Sequence, residues 1–285
     1  MIYAVTSKKG GCGRSTIALL LSMLTQSKIK GQIVLADFSY GNDLMSILKL
    51  KDSYPTLDNL ISAIALDMDL DFNKNLIDTN GFFLLPGTRV KQTRYLEKRY
   101  AEVVYILKEL ETKFNAVIID VDFALYQELV DSGLDITPFY VLDQNMLNVE
   151  KYQEEIQKQI FDGFYIVNRY NKDVFPTLDL FEKNFKKGSL VCITEDDNLT
   201  SILNKKKIAL SVIKSSPVYS GLDKLGTIIS KNLTITDSMF NGNRKKKKRL
   251  FGDLFRLKPA TVESVNTLEG LVNEKKGRKE EVING

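Results

Sequence analysis

Apolar residues come along this chain in short unbroken runs. Those at 2–6, 32–37, 82–85, 116–121, 138–142, 164–168 and 189–193 read as strands. A run without polar alternation is a strand buried on both faces, as in a parallel sheet covered by helices above and below. Segments of helical length lie between the runs, at 14–27, 43–50, 56–65, 92–113, 124–132, 146–160, 177–186, 198–205 and 218–232. This alternation predicts an α/β fold, a mostly parallel twisted sheet with helices on both faces and right-handed crossovers. Ligands in such sheets bind at the carboxyl ends of the strands. The residues that close each run are therefore the candidates for chemistry.

The pattern breaks at Asn243. It predicts a core domain over 1–242 and a basic, amphipathic and partly disordered tail over 243–285. The tail holds 12 Lys and Arg against 6 Asp and Glu, whereas 1–242 hold 28 against 30. The net charge of +4 is thus a property of the tail, and the body is near neutral. No apolar run approaches the length of a membrane span. The chain enters a strand at once, which predicts no signal peptide. Its two cysteines, Cys12 and Cys192, predict no disulfide framework and a reducing cytoplasm. With no histidine, imidazole acid/base chemistry and imidazole metal ligation are excluded. A metal here would be a hard cation on oxygen ligands, which points to Mg²⁺.

Lys9-Gly10-Gly11-Cys12-Gly13-Arg14-Ser15-Thr16 stand between the first strand and the first helix. A strand that ends in a glycine-rich loop and re-enters as a helix turns several backbone N–H groups, and the helix N-terminus, toward one point. That is a phosphate cradle, and Ser15 places a hydroxyl where such loops offer one to Mg²⁺. The stretch resembles the deviant Walker A loop of the MinD/ParA family of P-loop ATPases, differing at Arg14, where the family has lysine. Arg keeps the charge but is longer, planar and forked. The resemblance implies ATP or ADP with Mg²⁺ as cofactors. It places the nucleotide on Gly10, Gly11, Cys12, Gly13, Arg14, Ser15 and Thr16, and has Lys9 reach across a homodimer to the partner's nucleotide.

Other strand ends extend the resemblance, which covers about residues 1–235. Asp37 falls on the first switch aspartate, a partner of Mg²⁺ or its waters; on its own it also reads as a helix-capping carboxylate. Ser39 stands where the family has the aspartate that orients the attacking water, and a hydroxyl cannot replace a carboxylate base. Asp43 lies nearby as a substitute. Asp120 matches the Walker B aspartate, so the implied metal shell is Ser15, Asp37 and Asp120. Asp122-Phe123-Ala124 replace the family's Pro- and Gly-containing hinge, and Asp122 reads as a solvated loop residue. Asn168-Arg169-Tyr170-Asn171 resemble the family segment that meets the adenine edge, with Asn168 on the base and Arg169 beside it. Leu84-Leu85-Pro86-Gly87 and Ile193-Thr194-Glu195-Asp196 are weaker echoes. The positions the resemblance would make catalytic are Lys9, Arg14, Asp37 and Ser39, the last atypical.

In the tail, Arg244-Lys245-Lys246-Lys247-Lys248-Arg249 precede Leu250, Phe251, Leu254, Phe255 and Leu257, which gather on one side of a helix ended by Pro259. This resembles the membrane-targeting helix of MinD-like proteins and implies that 245–257 bind anionic membrane. The expected protein is a MinD-like ATP-binding switch with weak or absent hydrolysis. It would dimerise on nucleotide and sit peripherally on the inner face of the cell membrane. Its partner would be an unidentified protein of a membrane-associated machine of pilus, secretion or division type. A non-hydrolysing nucleotide-bound scaffold and a ParA-type DNA partition ATPase stay open. The near-neutral body argues against DNA.

Overall fold

The structure, a computed structural model, describes residues 1–51, 53–79, 81–90, 94–157, 163–185, 189–204 and 209–240. The predicted tail at 243–285, with the 245–257 segment, lies outside the described residues. In chain order the elements are β1 (Ile2–Thr6), α1 (Arg14–Lys28), β2 (Ile33–Phe38), α2 (Asp43–Leu48), α3 (Leu57–Ala65), α4 (Phe72–Asn75), β3 (Ile77–Asp78), β4 (Phe83–Leu85), α5 (Tyr95–Lys98) and α6 (Tyr100–Lys113). They continue with β5 (Ala116–Val121), α7 (Phe123–Asp131), β6 (Ile136–Asp143), α8 (Met146–Gln157), β7 (Phe164–Tyr170), α9 (Leu178–Asn184), β8 (Leu190–Thr194), α10 (Asp197–Asn204), α11 (Leu210–Ser215) and α12 (Tyr219–Phe240).

The strands form one sheet in the order β3-β4-β2-β5-β1-β6-β7-β8. Every pairing is parallel except β3 with β4. This is the expected α/β architecture. Its physical basis is visible in the central strands, whose residues alternate between two cores. Ile2 and Ala4 of β1, Val34, Ala36 and Phe38 of β2, and Val117 and Ile119 of β5 pack on one face with α3, α6 and α7. Tyr3 and Val5, Ile33 and Leu35, and Ala116 and Ile118 pack on the other with α1 and α12. Both sides of the pleat are covered, so neither can carry polar residues, and the runs lose their alternation.

The helix expected at 92–113 is two helices. The Arg99 N–H bonds the Leu96 carbonyl in a tight turn, and Arg99 leaves helical geometry at φ −113°, ψ 24°. The break lets Leu96 reach the core while Val103, Ile106, Leu107 and Leu110 form the buried stripe of α6. The sequence reading did not include β3, α4 and α11, and α12 runs further than the expected 218–232. The last residues of the helix expected at 146–160 lie outside the described residues.

The register sets the site. Asp37 of β2 lies opposite Asp120 of β5, Val5 of β1 opposite Asp120, and Asp143 of β6 opposite Asn168 of β7. The carboxyl ends of β2, β5, β1, β6 and β7 therefore stand in a row, with the glycine-rich loop rising from β1 in the middle.

Candidate functional site: the loop after β1

The loop bends at Gly11 (φ 79°) and Gly13 (φ 86°), left-handed values that a side chain would oppose. Gly13 is the N-cap of α1, with no side-chain cap and no acidic residue in the first turn. Among the described residues no carboxylate caps the first turn of α1, the state in which a helix end attracts an anion. The loop lines a cleft of about 730 Å³ that runs over Ser7–Thr16, Tyr40, Gly41, Asp43, Ser46, Ile47, Asp122, Phe123, Ala124 and Arg169. Ligand pockets are commonly of this size.

The structure brings together most of the residues singled out in the sequence. Lys9, Gly10, Gly11, Cys12, Gly13, Arg14, Ser15, Thr16, Asp43 and Arg169 line the cleft. Asp37, Ser39 and Asp120 are fully buried beneath it. Asn168 is also buried and absent from the cleft lining; its Nδ2 donates to the Cys12 carbonyl at 2.8 Å. The Cys12 thiol packs in the core on the α1 face, and burial pushes its pKa up, so it is not a ready nucleophile.

Asp122 is not the solvated loop residue expected. Its Oδ1 accepts Arg14 Nη1 at 2.6 Å and its Oδ2 accepts the Tyr40 N–H at 3.2 Å. Arg14 Nε meanwhile bonds Asp120 Oδ1 at 2.5 Å. The planar fork of Arg spans two carboxylates in a way that Lys cannot. Burial opposes the charge on Arg14, but Asp120 and Asp122 outweigh it and hold the guanidinium charged.

Ser39 turns inward. Its hydroxyl donates to Asp37 Oδ1 at 2.6 Å and its N–H to the same oxygen at 2.9 Å. The other oxygens, Asp37 Oδ2 and Asp120 Oδ2, are buried with no hydrogen-bond partner among the described residues. Burial first, and Asp120 second, push the Asp37 carboxyl up to about 7. Burial raises Asp120 as well, against the pull of Arg14 and a Ser15 hydrogen bond. Two unsatisfied acidic oxygens beside a serine hydroxyl are a hard-oxygen donor set that fits Mg²⁺. That ion keeps most of its waters and needs only one or two carboxylates.

The sequence reading missed two contacts of the loop. Lys9 Nζ pairs with Asp143 Oδ2 at 3.1 Å, and Asp143 closes β6 as Asp37 and Asp120 close their strands. Lys8 Nζ lies 5.0 Å from the Phe123 ring centroid and 5.2 Å from that of Tyr152. The strand-end rule would have found Asp143, but nothing along the chain signals Lys8.

No family model matches the sequence. An uncharacterized ATP-binding protein of Methanocaldococcus jannaschii is 28% identical over 244 residues, which is 81% of this chain and 88% of that protein. Among solved structures, a ParA family ATPase from Chlorobium tepidum matches with a TM-score of 0.65 at 17% identity, over 79% of this chain and 98% of that one. The septum site-determining protein MinD of Pyrococcus horikoshii, complexed with Mg-ADP, matches with a TM-score of 0.63 at 17% identity, over 82% and 98%. At this identity the likeness is one of fold, and the chain has the fold of the MinD/ParA ATPases.

Proposed function

We propose that this chain is a MinD-like nucleotide switch that binds ATP with Mg²⁺ in the cleft after β1 and dimerises on it. The observation that carries the reading is the uncapped N-terminus of α1 behind a left-handed glycine loop, with the unsatisfied oxygens of Asp37 and Asp120 next to it. The loop N–H groups would hold the phosphates, and Ser15, Asp37 and Asp120 would hold the metal or its waters. Bound there, Mg²⁺ supplies positive charge to the phosphates. Asn168 and Arg169 serve the nucleotide from the β7 side. The M. jannaschii relative, named as ATP-binding, supports the nucleotide, and the Mg-ADP complex of P. horikoshii MinD supports its form. Lys9 would leave Asp143 to reach the partner's nucleotide.

Hydrolysis is slow in this reading. Ser39 turns onto Asp37, and Arg14 is engaged by two carboxylates. Loss of one preorganised group commonly costs about 10²–10³ in rate. The same two observations favour a second reading, a scaffold that keeps nucleotide without turning it over.

Isothermal titration with Mg-ATP decides the main point. Binding is expected, with Ser15→Ala weakening it chiefly when Mg²⁺ is present. No heat at millimolar nucleotide would falsify the reading, and an equal Ser15→Ala loss in EDTA would remove Ser15 from the metal. Turnover of wild type and Ser39→Asp separates the two readings. A rate that rises in Ser39→Asp marks a slow switch, and a rate unmoved from zero marks a scaffold.

A further inference from the structure

A loop that aims its N–H groups at an anion must turn its carbonyls away from it, and those carbonyls need donors behind them. Ser7 Oγ serves the Lys9 carbonyl and the Ile17 N–H the Gly13 carbonyl, and the Gly11 and Cys12 carbonyls between them take their donors from one place. Asn168 Nδ2 donates to the Cys12 carbonyl at 2.8 Å, and Arg169 Nη2 donates to the Gly11 carbonyl at 3.1 Å. Both bonds bridge more than 150 residues of chain. The backbone is shaped for them. The pairing of β7 with β8 is irregular between Val167 and Tyr170, and Arg169 takes a left-handed φ of 54°. The fit is close: a Cβ on Gly13, already opposed by the left-handed φ there, would lie 2.4 Å from Asn168 Nδ2.

We propose that Asn168 and Arg169 are positioning residues of the phosphate cradle, which set the direction of its N–H groups by anchoring the carbonyls of Cys12 and Gly11. Asn168 then acts on the triphosphate through the loop and does not choose the base. This rests on the nucleotide reading of the cleft and changes the part Asn168 plays in it. A base reader changes the preference between adenine and guanine. A cradle anchor changes affinity for every ligand with the same phosphates, including one that has no base.

The test is titration of ATP, GTP and inorganic tripolyphosphate into wild type, Asn168→Ala and Arg169→Ala, each with Mg²⁺. Loss of a buried hydrogen bond to the loop is expected to weaken all three ligands alike, by about tenfold for Asn168→Ala, with the ATP to GTP ratio unchanged. A loss confined to ATP and GTP, or a shifted ratio with tripolyphosphate unmoved, overturns the proposal and makes Asn168 a base reader. If Asn168→Ala does not melt cooperatively, Arg169→Ala decides by the same pattern, because Arg169 is exposed and its removal opens no core. If wild type binds tripolyphosphate and ATP equally, the cradle stands and the base contact is what fails. If wild type binds none of the three, the nucleotide reading falls and takes this proposal with it.

Discussion

Asp37 shows how a single buried group ties the site to solution conditions. Its folded-state pKa of about 7 lies above the ordinary 3.8, so between those values the native state holds a proton that the unfolded chain releases. Stability of the ligand-free protein therefore falls as pH rises through that window. Asp37→Asn should remove the slope and raise the melting temperature at pH 8 in EDTA, because its amide can donate where the carboxylate is repelled by Asp120. An unchanged slope in Asp37→Asn would show that the proton resides elsewhere. Arg14 acts in the opposite sense. Arg14→Ala leaves Asp120 fully buried without its cation, and breaking a buried pair typically costs about 3–5 kcal/mol. Chemical denaturation measures it, and a loss within error would mean that Asp120 simply takes up a proton. Asp37, Asp120 and Asn168 were legible because strand ends mark sites in this kind of sheet. The reach of Arg14 to Asp122 was not, because it depends on β5 lying beside β1, and strand order is a property of packing that no local pattern encodes.

The elements follow the same division. The runs at 2–6 and 116–121 match β1 and β5 residue for residue, because full burial on both faces leaves a continuous apolar signature. The edge strand β3 has two residues and only one apolar side chain, so it leaves no run to read. The break at Arg99 carries neither Gly nor Pro, and α6 looked continuous with α5 for that reason. Close approach is another feature that sequence hides. A Cβ on Gly221 of α12 would lie 2.5 Å from the Cys192 carbonyl oxygen and 3.0 Å from Ile193 Cγ1. Backbone cannot step aside as a flexible side chain does. Gly221→Ala should therefore lift α12 from β8 at a cost of about 1–3 kcal/mol. Gly81→Ala, with nothing within 4 Å of its added methyl, is the control and should be near neutral. Equal denaturation midpoints for the two variants would refute the close packing of α12.

At the scale of the molecule, a near-neutral body is joined to a tail whose charge and apolar residues were read from sequence alone. We propose that 245–257 carry the protein to anionic membrane, and more strongly once nucleotide pairs two copies and so doubles the anchors. Phe251→Glu should abolish co-sedimentation with anionic liposomes and leave nucleotide affinity unchanged. A wild type that shifts DNA strongly and ignores liposomes would instead favour a partition-type role, with binding that falls steeply in salt. Among the described residues no helix is long and apolar enough to cross a membrane. The borders of the sheet bear on how such a protein survives crowding. On one side it ends in the two-residue β3 with Asp78 exposed, and on the other in β8, which α12 approaches closely at Cys192. An open border is a template on which a foreign chain adds rung after rung. Here one template is only two residues long and the other has α12 packed closely on it at Cys192, so the described sheet offers little free edge on which a second chain could add a strand.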